Sequence, residues 1–272
     1  QSTYLMELSE PKTVRGKLAC LILIIVFSAK LTGVTYAETR PVTVFAAASL
    51  TTVLSEVADM AIRYGLPPCR CVFAASSSLA RQITDGAPSD IFVSANRYWV
   101  NHLAKAGVMD GRTRQIIARN RLVLVAHTNV EMQIPGGSWE LLPGLLDGRW
   151  LAMADPDHVP AGMYGAAALR HFRIWDRLKP SIARAPNVRA ALALVDRGEA
   201  VAGIMYSSDI RVSERVRVIA TFPHDSHPPI EYAAVLRNMP GNEFVEAYYA
   251  FLMSSAVQVR FAEHGFLPAN DS

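Results

Sequence analysis

Cysteine, net charge and long apolar runs are what this sequence has least of. Three of its 272 residues are cysteine: Cys20, Cys69 and Cys71. Cys69 and Cys71 stand two apart in PPCRCVF. A strand puts both on one face, but bridging them strains the backbone, so free, partly buried thiols are expected. Two thiols without a His or a second Cys pair also make a poor zinc site. Lys and Arg number 27 against 24 Asp and Glu, and without residues 1–37 the balance falls to +1. That argues against the clustered basic surface of a nucleic-acid binder and against bulk electrostatic capture of an anion, so any anion specificity must be local. The longest apolar run, LACLILIIVFSA at 18–29, is shorter than the roughly 20 residues of a membrane-spanning helix. A G-x-S-x-G elbow, a phosphate-binding loop and a dinucleotide fingerprint are absent, as are repeats and low-complexity tracts.

What is present begins with that run. Lys12, Arg15 and Lys17 precede it and the polar stretch KLTGVTYA follows, ending in small residues. This is the order of a secretory signal, with cleavage expected after Ala37 and a periplasmic destination. Short buried strands then alternate with helices: PVTVFAA, SLTTVLSEVADMAIRYG, CVFAA, SSSLARQITDG, DIFVS, NRYWVNHLAKAG and RLVLVAHT. WELLPGLLDG, GRWLAMAD, GMYGAAALRHFRIWDRL, NVRAALALVDRG, AGIMYSSDIRVS, VRVIATF and a long closing helix EFVEAYYAFLMSSAVQVRFAEHG complete the chain. The alternation predicts an α/β protein with mostly parallel sheets.

Two junctions carry chemical meaning. VFAAAS and VFAASSS both run apolar, then small, then hydroxyl, then helix. Taken singly, Ser49 reads as a helix N-cap. Taken together, Ser49 and Ser76–Ser78 sit beyond the carboxyl ends of neighbouring strands, where open α/β sheets bind ligands. Each lies at a helix start, where unpaired N–H groups and the dipole favour an anion. Ala161, after Pro160, and Val188, after the capping residue Asn187, also open predicted helices and offer orphan amides. Tyr206 alone reads as a strand-end aromatic. His158 lacks an assignable triad, and His224 with His227 is weak as a metal pair.

The motifs VFAAASL, SSSLARQI, GAPSDIFVSA, DPDHVPAGMYG, NVRAALALVDRGEA, GIMYSSD and ATFPHDSHPPIEY, with the closing GF, make residues 41–268 resemble the periplasmic molybdate-binding proteins of bacterial ABC-type importers. The resemblance implies a two-lobed type II periplasmic-binding-protein fold: α/β, with mixed, mostly parallel sheets and two crossing strands forming a hinge. Lobe 1 would comprise 38–121 and 217–272 and lobe 2 122–216, with crossings near Arg121-Leu122-Val123 and Val216-Arg217-Val218. The implied ligands of molybdate, and of the near-isosteric tungstate, are Ser49, Ser76 (one residue ambiguous with Ser77), the amides of Ala161 and Val188, and the Tyr206 side chain. They would contact the metal only through its oxo groups. The resemblance implies no catalysis and no cofactor, a monomer, and delivery to a membrane permease with its ATPase. The rival reading is a binding protein of the same fold for sulfate or another small oxyanion.

Overall fold

The computed structural model describes residues 40–239 and 241–269; the expected signal segment lies outside the described residues. Strand β1 (Val42–Ala47) leads through a 3-10 turn into helix α1 (Thr51–Arg63). Then follow β2 (Cys69–Ala74), α2 (Ser76–Thr84), β3 (Ile91–Ser94), α3 (Arg97–Lys105), β4 (Met109–Arg119) and β5 (Leu122–His127). Next come α4 (Leu142–Leu146), β6 (Leu151–Ala154), α5 (Pro160–His171), α6 (Trp175–Leu178), β7 (Ile182–Ala185), α7 (Val188–Asp196) and β8 (Ala202–Tyr206). The chain closes with β9 (Val216–Thr221), β10 (Glu231–Arg237), α8 (Glu243–Leu252) and α9 (Ser255–Glu263).

The strands form two sheets of the same design, ordered β2-β1-β3-β10-β4 and β7-β6-β8-β5-β9. Each supports one lobe. In both, a central strand pairs in parallel with a neighbour on either side, β1 with β2 and β3, β6 with β7 and β8. The other two pairings in each sheet are antiparallel. The antiparallel share exceeds what strand–helix alternation suggested, because β5 and β10 each follow a crossing from the other sheet. Strands β3, β6 and β8 are buried along their whole length, which explains their unbroken apolar sequences.

The chain passes from the first sheet to the second between Arg119 and Leu122 and returns between Thr221 and Glu231. Residues 216–218 lie inside β9, which pairs with β5. Three strands are not among those expected from the sequence: β4, the four-residue β7 and β10. In β4 only three of eleven residues are buried, so it shows no alternation. β10, EYAAVLR, was passed over beside its Pro-rich approach. The expected closing helix is two helices, because Ser254 caps the second by accepting from the Val257 amide. Among the described residues no helix is long and apolar enough to cross a membrane.

Candidate functional site

All six parallel strands end at the cleft between the two sheets, because a strand order with its first strand central sends the following chain off to either side. The five residues singled out from the sequence, Ser49, Ser76, Ala161, Val188 and Tyr206, line one small cavity there. Ser49 follows β1, Ser76 opens α2 after β2, Ala161 is the second residue of α5 after β6, Val188 opens α7 after β7, and Tyr206 ends β8. The remaining lining is small or apolar apart from Asn187, and it includes no Asp, Glu, Lys or Arg.

Helix starts supply the donors. Asn187 is extended, and its side chain accepts from the Ala190 amide, which leaves the first-turn amide of Val188 outside the cap. Pro160 fills the first position of α5, where a missing N–H costs nothing, so the Ala161 amide is the first donor of that helix. The turn is held close to its strand by Gly162. A Cβ there would stand 2.2 Å from the Ala154 carbonyl oxygen and 2.4 Å from that of Asp155, so the sequence must place glycine in PAGMYG for α5 to start at the strand end.

The hydroxyls are aimed by buried partners. Ser76 Oγ accepts from the Ala95 amide at 3.0 Å, so its own proton is free to point into the cavity. Ser49 does not cap a helix; the helix starts near it have no side-chain cap. Its Oγ lies 2.8 Å from the Tyr232 phenol. Asn120 Nδ2 donates to Ser208 Oγ at 2.8 Å and to the Tyr232 oxygen at 3.4 Å. Asn120 donating to Tyr232 and Tyr232 to Ser49 is the assignment that would leave the Ser49 proton for the cavity. Tyr206 is 1 % exposed, and its hydroxyl has no hydrogen-bond partner within the protein. Burial pushes the phenols of Tyr206 and Tyr232 well above their ordinary pKa, so both remain neutral donors.

Of the serines at the start of α2, Ser77 is not in the lining, and its Oγ lies 2.9 Å from His158 Nδ1. That bond crosses the cleft, as does Trp99 Nε1 donating to the His158 carbonyl at 3.1 Å. His158 is thus a cross-cleft contact. His227 Nδ1 is 2.8 Å from the Pro228 carbonyl, and among the described residues no group of three or more His, Cys, Asp or Glu could hold a metal ion. Cys69 and Cys71 are free, half-buried thiols with Sγ atoms 3.1 Å apart, away from the cavity.

Sequence reasoning missed the groups behind the lining: Asn120, Gly162, Arg189, Asp209 and Tyr232. Gly162, Arg189, Asp209 and Tyr232 lay within the motifs DPDHVPAGMYG, NVRAALALVDRGEA, GIMYSSD and ATFPHDSHPPIEY without being given a role, and Asn120 lay outside them.

The pattern of the family described as bacterial extracellular solute-binding protein matches residues 42–267. The chain is 41 % identical over 235 residues to the molybdate-binding protein ModA of Escherichia coli (strain K12), covering 86 % of this chain and 91 % of that one. It is 39 % identical over 238 residues to ModA of Haemophilus influenzae, covering 86 % and 92 %. The fold is shared with the periplasmic molybdate-binding protein of Azotobacter vinelandii at a TM-score of 0.71 and 21 % identity, over 83 % of this chain and 98 % of that one. With a family match across both lobes and two relatives that align nearly end to end, the chain belongs to the bacterial extracellular solute-binding proteins.

Proposed function

We propose that the protein captures molybdate outside the cytoplasm and hands it to an ABC importer. The observation that carries this is the Tyr206 hydroxyl, a buried donor with no protein partner, set in a cavity whose lining has no charged side chain. A buried polar group without a partner costs about 1–3 kcal/mol; an oxyanion would offset that cost. The relatives ModA of Escherichia coli and of Haemophilus influenzae are molybdate-binding proteins by name.

Molybdate is a tetrahedral dianion at neutral pH with no proton to donate. A pocket of donors suits it, whereas a protonated phosphate calls for an acceptor such as a carboxylate. Ser49, Ser76 and Tyr206 would donate through hydroxyls, Ala161 and Val188 through amides. The positive ends of α2, α5 and α7 would add to the field. Neutral donors avoid the desolvation cost of a buried Lys or Arg. Donors from both lobes meeting one ion would favour the closed state. The lobes are read as 40–119 with 231–239 and 241–269, and 122–221, joined by residues 120–121 and 222–230. Tungstate, nearly the same size, should bind as well, and the smaller sulfate poorly. Residues 1–37 would direct export and be removed after Ala37. The mature chain would act as a monomer, docking on a permease served by an ATPase.

Calorimetry of the purified protein with molybdate, tungstate, sulfate and phosphate tests this reading. Tight binding of the first two, with little heat from the others, is expected. Preference for sulfate would replace molybdate with the rival cargo. Hydrolysis of model esters without oxyanion heat would argue for an enzyme.

A further inference from the structure

One ion pair, between the half-buried Arg189 and the fully buried Asp209, lies just outside the cavity and touches three of the segments that line it. Arg189 is the second residue of α7, next to Val188. Its Nη2 donates to the Ser49 carbonyl at 3.1 Å. Its Nε lies 2.7 Å from Asp209 Oδ1, an ion pair by distance although neither atom completes an aligned hydrogen bond. Asp209 is fully buried, and its Oδ2 accepts from the Tyr206 amide at 3.3 Å. One guanidinium therefore reaches from the second lobe across the cleft to the loop after β1, while its counter-ion holds the backbone of Tyr206.

The cost of this arrangement argues for a purpose. Burying a carboxylate is expensive, and apolar residues of similar size are often at least as stable as a buried ion pair. Neutralising Asp209 alone would not need a donor aimed at the first lobe. The Arg189–Ser49 bond, however, can form only when the lobes approach, and a planar fork can serve two partners in fixed directions where an ammonium cannot. Ligand and bond then favour the same state, and two interactions that favour one state strengthen each other.

We propose that Arg189 is a positioning residue, a latch across the cleft kept in aim by Asp209, that stabilises the closed form and slows release of the bound oxyanion. This rests on the site reading above. It differs from simple charge neutralisation in what it changes. Neutralisation affects stability, whereas a latch affects the rate of release.

The test is a pair of variants, with molybdate association and release followed by tryptophan fluorescence, since Trp99 donates across the cleft to His158. Arg189→Met with Asp209→Asn removes both charges together, leaving no buried ion unpaired. Its dissociation constant should rise about 10-fold, the scale of one lost hydrogen bond from a charged donor. The change should lie in faster release, with association within about 3-fold of the parent, as expected for a contact formed after encounter. Arg189→Lys keeps a cation for Asp209 but loses the fork, so it should release faster by a few-fold and serves if the double variant does not fold. Release at the parent's rate in a folded double variant, or in Arg189→Lys if only that variant folds, overturns the latch alone. Absence of molybdate binding by the parent overturns the site reading and the latch with it.

Discussion

The Ser49 hydroxyl and the Tyr232 phenol lie 2.8 Å apart in the interior although 183 positions separate them. Ser49 comes from the first turn after β1 and Tyr232 from β10, which enters the same sheet from the other end of the chain. The bond gives a serine that could rotate freely a fixed buried partner. Tyr232→Phe keeps the buried ring and removes only the oxygen. One ordinary hydrogen bond contributes about 0.5–1.5 kcal/mol, so the molybdate dissociation constant should rise about 2- to 12-fold. Calorimetry on the folded variant checks this, and an unchanged constant would mean that Ser49 does not need its partner.

Gly162 sets how closely α5 approaches β6. With backbone oxygens of Ala154 and Asp155 in the way of a Cβ, Gly162→Ala must displace the first turn of α5 and the Ala161 amide with it. Loss of molybdate binding, with a lower melting temperature, is the expected outcome. Gly144→Ala is the control: nothing lies within 4 Å of a Cβ there, and alanine is the better helix former by about 1 kcal/mol. Equal binding by both variants would detach Ala161 from the site.

Val188 separates amide from side chain. Val188→Ala keeps the N–H and should leave affinity within a few-fold, at some cost in stability because the side chain is buried. Val188→Pro deletes the N–H at a first helical position, after an Asn187 whose φ of −160° and ψ of 173° suit a residue before proline. Loss of a hydrogen bond to a charged group costs about 1.5–3 kcal/mol, or about 10- to 150-fold in the dissociation constant. Circular dichroism confirms folding. A folded proline variant that binds like the parent reduces Val188 to packing.

Asp209 gives stability a pH dependence. Burial, opposed by Arg189, pushes its carboxyl up from 3.8 to about 6. A carboxyl raised on folding takes up protons more readily in the native state. Its contribution is therefore fully present below about pH 4 and is lost as pH rises to about 6. The two-unit rise corresponds to about 3 kcal/mol. The melting temperature of the parent minus that of Asp209→Asn should fall across this window and level off above it. A flat difference would place the Asp209 pKa in the ordinary range.

The strand-end motifs were legible because local chemistry marks them: apolar residues, then small ones, then a hydroxyl, proline or asparagine at a helix start. That pattern marked Ser49 and Ser76 and agreed with the amides of Ala161 and Val188, whereas the full set with Tyr206 came from the family resemblance; the structure brings all five to one cavity. The elements that failed to show were those with weak local signals. β4 presents mostly exposed polar residues, and β10 owes its place to antiparallel partners on both sides. The groups that aim the donors were hidden for the same reason. Asn120 meets Ser208 across 88 positions and Arg189 meets Ser49 across 140, and no periodicity within one segment records such pairings. Ser49 itself was legible as a hydroxyl at a junction, but its partner was not.

Tyr206→Phe tests most directly whether the pocket's neutral donors are left for an oxyanion. Molybdate titration should be paired with thermal melts in the absence of molybdate. The Tyr206 hydroxyl has no protein partner, so its removal should leave the free protein at least as stable while weakening molybdate binding about 10-fold or more. A variant that melts lower without molybdate yet binds it as tightly as the parent would contradict the account, because the hydroxyl would then serve the fold and not the ligand.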